Sequence, residues 1–200
     1  MKQILLNCIV LLLLLTQAYA QDWEIKKNKD GIKVYTKVNP QSPFDLLKAE
    51  CEVAVNADVL LQLIFDVSKH KLWVYNTEQS VLIKRNSAYD ILYYGETYAP
   101  WPVSNRDLVI HLIASRDSLT GIYTINGKSK PDLKPEVEGK IRVPRSEAVW
   151  KLVPLGNNKT RVSYSLDIDP GGSIPAWLVN YASVEGPYLS FKSLMSILLK

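Results

Sequence analysis

Along most of this chain apolar and polar residues alternate in short runs, the mark of half-buried strands, and in two places the period lengthens to the three or four residues of a helix. Trp23 to Lys27 and Ile32 to Val38 are β-prone runs separated by Asn28-Lys29-Asp30-Gly31, and Asp-Gly between such runs predicts a hairpin. Leu46 to Val55 reads as a third strand. Asn56-Ala57-Asp58 then offers a cap to a helix whose apolar residues Val59, Leu60, Leu63, Ile64 and Val67 recur at helical spacing. A short second helix is expected over Lys69 to Tyr75.

From Val81 the period returns to two. Strands are predicted over Val81 to Lys84, Tyr89 to Tyr98, Asp107 to Ser115, Gly121 to Lys128, Lys140 to Val143, Ala148 to Pro154 and Thr160 to Ile168. Turn residues at Asn86-Ser87, Ser118 to Thr120 and Gly156-Asn157-Asn158 separate several of them, and strands joined by short turns pair antiparallel. Ser173 reads as the cap of a last helix with Pro175 in its first turn. On that helix Ile174, Trp177, Leu178, Tyr181, Val184, Tyr188, Phe191, Leu194, Met195 and Leu198 form one broad apolar face that needs cover. Gly186-Pro187 should kink or break it, because proline removes a backbone bond and clashes with the preceding turn. The fold class is therefore α+β: a curved antiparallel sheet, two short helices inserted after the third strand and a long C-terminal helix.

The first residues follow a different pattern. Lys2, the apolar run Ile4 to Leu15 and the small-residue ending Ala18-Tyr19-Ala20 make residues 1–20 a secretory signal peptide, and the run is short for a membrane anchor. Retention as an anchor is the alternative to cleavage after Ala20. Residues 21–200 are then one exported domain, periplasmic or secreted, large enough for a substantial core. Of the two cysteines only Cys51 survives cleavage, so no intramolecular disulfide forms, and Cys51 in its apolar run reads as a buried core side chain. A net charge of +4, one less after cleavage, suits no obligatory nucleic-acid partner and does not oppose an anionic membrane.

Catalytic signals are absent. His70 and His111 have no zinc-ligand spacing, and there is neither a Gly-x-Ser-x-Gly elbow nor a phosphate-binding glycine loop. Arg106 and Asp107 are neighbours on a strand and point to opposite faces, so they cannot jointly serve one site. We expect a structural ion pair or a loop anchor there.

Two stretches carry a resemblance. Ala99-Pro100-Trp101-Pro102-Val103-Ser104-Asn105-Arg106-Asp107 enters a strand, and Asp167-Ile168-Asp169-Pro170-Gly171-Gly172-Ser173-Ile174-Pro175-Ala176-Trp177-Leu178-Val179-Asn180 leads into the last helix. In this order they closely resemble the START (steroidogenic-acute-regulatory-related lipid transfer) family, over residues 22 to 199. The resemblance implies a helix-grip fold, in which a curved sheet wraps the C-terminal helix around a cavity for one lipid, with no metal or redox cofactor. It also implies binding of a phospholipid, sterol or other hydrophobic small molecule. The positions matching the charged pair of steroid-carrying members are Tyr93 and Leu112, so a steroid gains no support.

If Tyr93 faces such a cavity, strand alternation turns Ile91, Gly95 and Thr97 the same way, with Leu108, Ile110, Leu112 and Ala114 beside them and His111 facing away. The expected ligand-cavity residues are Tyr93, Thr97, Ile110, Leu112, Trp150, Tyr164, Trp177, Tyr181 and Tyr188. For each aromatic among them ordinary core packing is the competing reading. Trp101 and Pro102, in a loop stiffened by proline, and Gly186 and Pro187, at the helix break, are the expected gate or transient membrane contact; Trp101 folded over the sheet edge is the alternative. The segment beyond Pro187 is expected to move while Ile174 to Tyr181 stays anchored. The chain thus reads as a monomeric lipid carrier or sensor rather than an enzyme. A cavity enzyme using Glu96 or a tyrosine as general acid–base, and a ligand-gated interaction protein, are the competing readings.

Overall fold

A computed structural model describes residues 22–199, and the predicted signal segment 1–20 lies outside them. Strands β1 (Glu24–Lys29) and β2 (Ile32–Lys37) form the expected hairpin, closed by Asp30 and Gly31 alone. Both have positive φ, 55° and 74°, the backbone that a two-residue turn matching strand twist requires. β3 (Leu46–Val53) follows, then α1 (Ala57–Phe65), whose cap is the predicted one: Asn56 Oδ1 accepts from the Val59 amide at 3.0 Å. A turn of 3₁₀ helix, Val67–Lys69, leads into α2 (His70–Trp73).

The remaining strands are β4 (Thr77–Ser87), β5 (Asp90–Thr97), β6 (Arg106–Arg116), β7 (Tyr123–Ser129), β8 (Ile141–Arg142), β9 (Arg145–Gly156) and β10 (Lys159–Asp169). They form one sheet in the order β1-β2-β3-β10-β9-β7-β6-β5-β4. Every pairing in that order is antiparallel, and β8 alone pairs parallel, with β6, through Arg106 opposite Ile141 and Asp107 opposite Arg142. β8 is reached through the long Lys130–Lys140 connection, so no tight turn forces it to run back against its neighbour. Pairing slips in three places between β4 and β5, and such bulges bend the sheet at this edge.

The C-terminal helix is divided, and the division lies upstream of the predicted point. α3 (Ala176–Ala182) ends before Ser183 and Val184, and α4 (Glu185–Leu198) begins anew with Gly186 and Pro187 in its first turn. Proline causes this at a distance. In a continuous helix its ring would strike the carbonyl of Ser183, four residues back, whereas in a first turn its missing N–H has no duty. Ser173 caps nothing; Pro175, extended at φ −57° and ψ 132°, precedes α3 directly.

Only α4 is gripped. Its Tyr188, Phe191 and Leu194 are buried against β2, β3 and α2, whereas α3 buries no residue fully. The expectation that α3 is the anchored part is thereby reversed. The core beneath includes Ile32, Val34, Cys51, Leu60, Leu61, Ile64, Ile125 and Leu152, and burial pushes the Cys51 thiol up to about 12. No helix among the described residues is long and apolar enough to cross a membrane.

Candidate functional site

Strand alternation, a curved sheet and a divided helix together leave a hollow. A cavity of about 520 Å³ lies between β3, β9 and β10 on one side and α3 and the start of α4 on the other, within the range of about 300–1,000 Å³ usual for small-molecule sites. Ile174, Leu178, Val179 and Ala182 cover it from the α3 side, and Tyr98, Ala99, Pro100 and Val103 border it. A deeper chamber of about 220 Å³ continues beneath α2, walled by Ile64, His70, Tyr93, Gly95, Leu108, Ile110 and Leu112. The chambers adjoin through Trp73, Val74, Thr97, Trp150, Tyr164, Leu166 and Ile168, which line both.

The period-two pattern on β5, β6, β9 and β10 therefore places Tyr93, Thr97, Ile110, Leu112, Trp150 and Tyr164 at the hollow. Ile91 and Ala114 share that face but pack into the core. Trp150 centres an aromatic wall, with Tyr164 at 4.5 Å, Phe191 stacked at 5.7 Å and Trp73 edge-on at 6.0 Å between ring centroids. Burial raises the Tyr93 phenol to about 12 and raises Tyr164 likewise, so both stay protonated and neutral.

Three expected cavity residues lie elsewhere. Trp177 and Tyr181 are 71% and 82% exposed, and Leu178, Val179 and Ala182 take their place. Leu178, Ala182, Gly186 and Ser190 line the chamber at four-residue steps, and Trp177 and Tyr181 sit one position off that line, turned outward. Tyr188 is buried but belongs to the hairpin contact: its hydroxyl donates to Asp30 Oδ2 at 2.7 Å, and the Lys27 ammonium sits 4.0 Å from its ring centroid. Gly186 and Pro187 border the larger chamber. Trp101 does not fold over the sheet edge; it is 91% exposed, at the tip of a loop that Asn105 pins by accepting from the Ala99 amide at 3.1 Å and donating to Glu96 at 3.0 Å. Pro102 is exposed beside it.

The polar groups are few and mostly paired away from the hollow. Glu96 is engaged by Lys140 and Asn105; burial works to raise its pKa, but these partners outweigh it and hold the carboxyl below its usual value. A carboxylate so engaged is a poor general base. Asp107, fully buried, grips Arg142 through two bonds of 2.9 Å, and His111 meets Asp90 at 2.8 Å on the face turned from the cavity. His70, missed as a wall residue because it lies in a four-residue helix without a readable period, meets the Ile64 carbonyl with Nε2 at 2.9 Å. Burial lowers its pKa, against weaker opposing effects of that carbonyl and Asp66.

Arg106 is the one charged residue among the described residues lining the larger chamber. Opposite parity from Asp107 was the readable signal for it. Gly171 and Gly172, at φ 67° and 72°, bring the β10–α3 turn against it: a Cβ at Gly171 would stand 3.1 Å from the Arg142 carbonyl. The Gly171 carbonyl thereby comes within 3.4 Å of an Arg106 terminal nitrogen.

A wrapped sheet, a helix laid across its mouth and an almost wholly apolar hollow define a helix-grip ligand-binding domain. The START domain model matches residues 3–198, and the chain belongs to the START family. It is 34% identical to an uncharacterised protein of Pseudomonas aeruginosa, over 90% of this chain and 88% of that one. Mouse phosphatidylcholine transfer protein is 29% identical, over 82% of this chain and 78% of its own length. A STAR-related lipid transfer protein from Xanthomonas axonopodis superposes with a TM-score of 0.83 at 34% identity, covering 89% of this chain and 99% of the other. Human STARD10 shares the fold at a TM-score of 0.78 and 22% identity, over 89% and 73% of the two chains.

Proposed function

We propose that this protein binds one lipid in the hollow between the sheet and α3–α4 and carries it, as a monomer, outside the cytoplasm. The observation that carries the reading is the apolar cavity of about 520 Å³, roofed by a helix that buries none of its own residues fully. START domains bind and transfer lipids, and two of the similar proteins are lipid transfer proteins by name. Export rests on the pattern of residues 1–20, and membrane contact on Trp101, Trp177 and Tyr181, large side chains exposed on the two segments that frame the cavity. A cavity enzyme using Glu96 is disfavoured by the pairing of that carboxylate with Lys140 and Asn105.

The test is native mass spectrometry of the purified protein, then organic extraction and exposure to phospholipid vesicles. A mass increase matching one extractable lipid is expected. A protein that carries none and takes none up from vesicles overturns the reading. Osmotic-shock fractionation of the natural host locates the chain; recovery with cytoplasmic markers overturns export.

A further inference from the structure

Arg106 is nine-tenths buried, and no carboxylate among the described residues lies within 4.0 Å of it. Asp107, its chain neighbour, is held by Arg142, Glu96 on the adjoining strand by Lys140, and Asp169, in the turn that reaches Arg106, accepts from the Gly171 amide. Its terminal nitrogens donate to the carbonyls of Ser104 and Gly171, and its buried Nε–H has no partner among the described residues. Buried charges in folded proteins are ordinarily paired, and a buried donor left unmade costs more than a made bond contributes. The guanidinium is permanently charged and presents its donors as a planar fork suited to carboxylate and phosphate. It is also the one charged group among the described residues in the wall of a mostly apolar chamber.

Resting on the lipid-cavity reading, we propose that Arg106 is an anion subsite: it receives the phosphate or carboxylate of an amphiphilic ligand whose hydrocarbon lies against Trp150, Tyr164 and Phe191. Charge-assisted bonds in a site shielded from water hold the anion, and the apolar wall holds the tail. A neutral lipid of the same hydrocarbon leaves the guanidinium uncompensated and binds less well.

Competition read by native mass spectrometry tests this with two equimolar pairs: dioleoyl phosphatidic acid against dioleoylglycerol, and sodium oleate against oleyl alcohol. The unaltered protein is expected to favour the anionic member of at least one pair about tenfold or more, and the pair concerned tells phosphate from carboxylate. Arg106→Gln is expected to lose that preference while still taking up the neutral member; Arg106→Lys, with charge but no fork, falls between. A preference equal in Arg106→Gln and the unaltered protein overturns the subsite, as does no preference in either pair. Should Arg106→Gln not fold, an unchanged ratio in Arg106→Lys counts against it in the same way. Uptake of none of the four lipids by the unaltered protein sinks the carrier reading instead.

Discussion

Trp150 on β9 lies parallel to Phe191 on α4, their ring planes 6° apart and their centroids 5.7 Å apart, so the cavity wall and the gripped helix meet in one aromatic stack. Phe191 is 1% exposed. Its truncation removes the ring from both the cavity wall and the helix–sheet contact. Phe191→Ala is expected to cost about 3–5 kcal/mol, near the low end because the new void opens into an existing hollow. Urea unfolding should show a lower midpoint at an unchanged slope, and a loss under about 1 kcal/mol would remove α4 from the list of elements that hold the fold.

His70 should make the protein sensitive to mild acid. Burial depresses its folded pKa, so below about pH 6.5 the unfolded chain takes a proton that the folded one refuses. Stability therefore falls as pH drops through that unfolded value, by at most about 1.4 kcal/mol per pH unit, until the folded pKa is reached. His70→Gln lacks this slope, while His111 is common to both proteins and cancels. Parallel pH profiles of the two proteins between pH 7 and 5 would contradict it.

Trp101 carries the membrane reading in a form that stability does not confuse. At 91% exposure it packs on nothing, so Trp101→Ser should change unfolding free energy by no more than about 0.5 kcal/mol. Flotation with phospholipid vesicles is expected to weaken, and further with Trp177→Ser, as interfacial indoles are removed. Unaltered flotation of the double variant leaves these tryptophans without a membrane role.

Strands were legible because one side chain in two faces a wet or a dry side; the family resemblance supplied the cavity, and with Tyr93 taken as facing it the same period put Thr97, Ile110 and Leu112 beside it. The hairpin and the Asn56 cap were legible because they depend on a few adjacent residues. Trp177, Tyr181 and Tyr188 were misplaced because the whole apolar stripe was read as facing the cavity: Trp177 and Tyr181 sit one position off the lining residues Leu178 and Ala182, and Tyr188 turns to the hairpin at Asp30. The short helix holding His70 and the strand that becomes β8 were both expected, but not the inward facing of His70 nor the parallel pairing of β8, since four residues and two residues are too few to fix a face or a partner. Which of two neighbouring charges would find a partner was equally hidden, because Asp107 is paired from β8, thirty-five residues away.

The same division of the C-terminal helix yields a prediction about ligand exchange. α3 is tied to the body of the protein through Asn180, whose side chain accepts from the Asp45 amide at 3.0 Å and donates to the Pro43 carbonyl at 3.2 Å. With no fully buried residue of its own, α3 is the segment whose opening exposes least apolar core, and its opening uncovers Leu178, Val179 and Ala182 over the cavity. Hydrogen exchange should therefore be faster in Ala176–Ala182 than around Tyr188, Phe191 and Leu194. Asn180→Ala removes both ties, and at about 0.5–1.5 kcal/mol for each bond it should speed α3 exchange and lipid release roughly 5- to 150-fold while leaving α4 protected. Exchange that is equally slow in both helices, or an Asn180→Ala variant releasing lipid at the original rate, removes α3 as the gate.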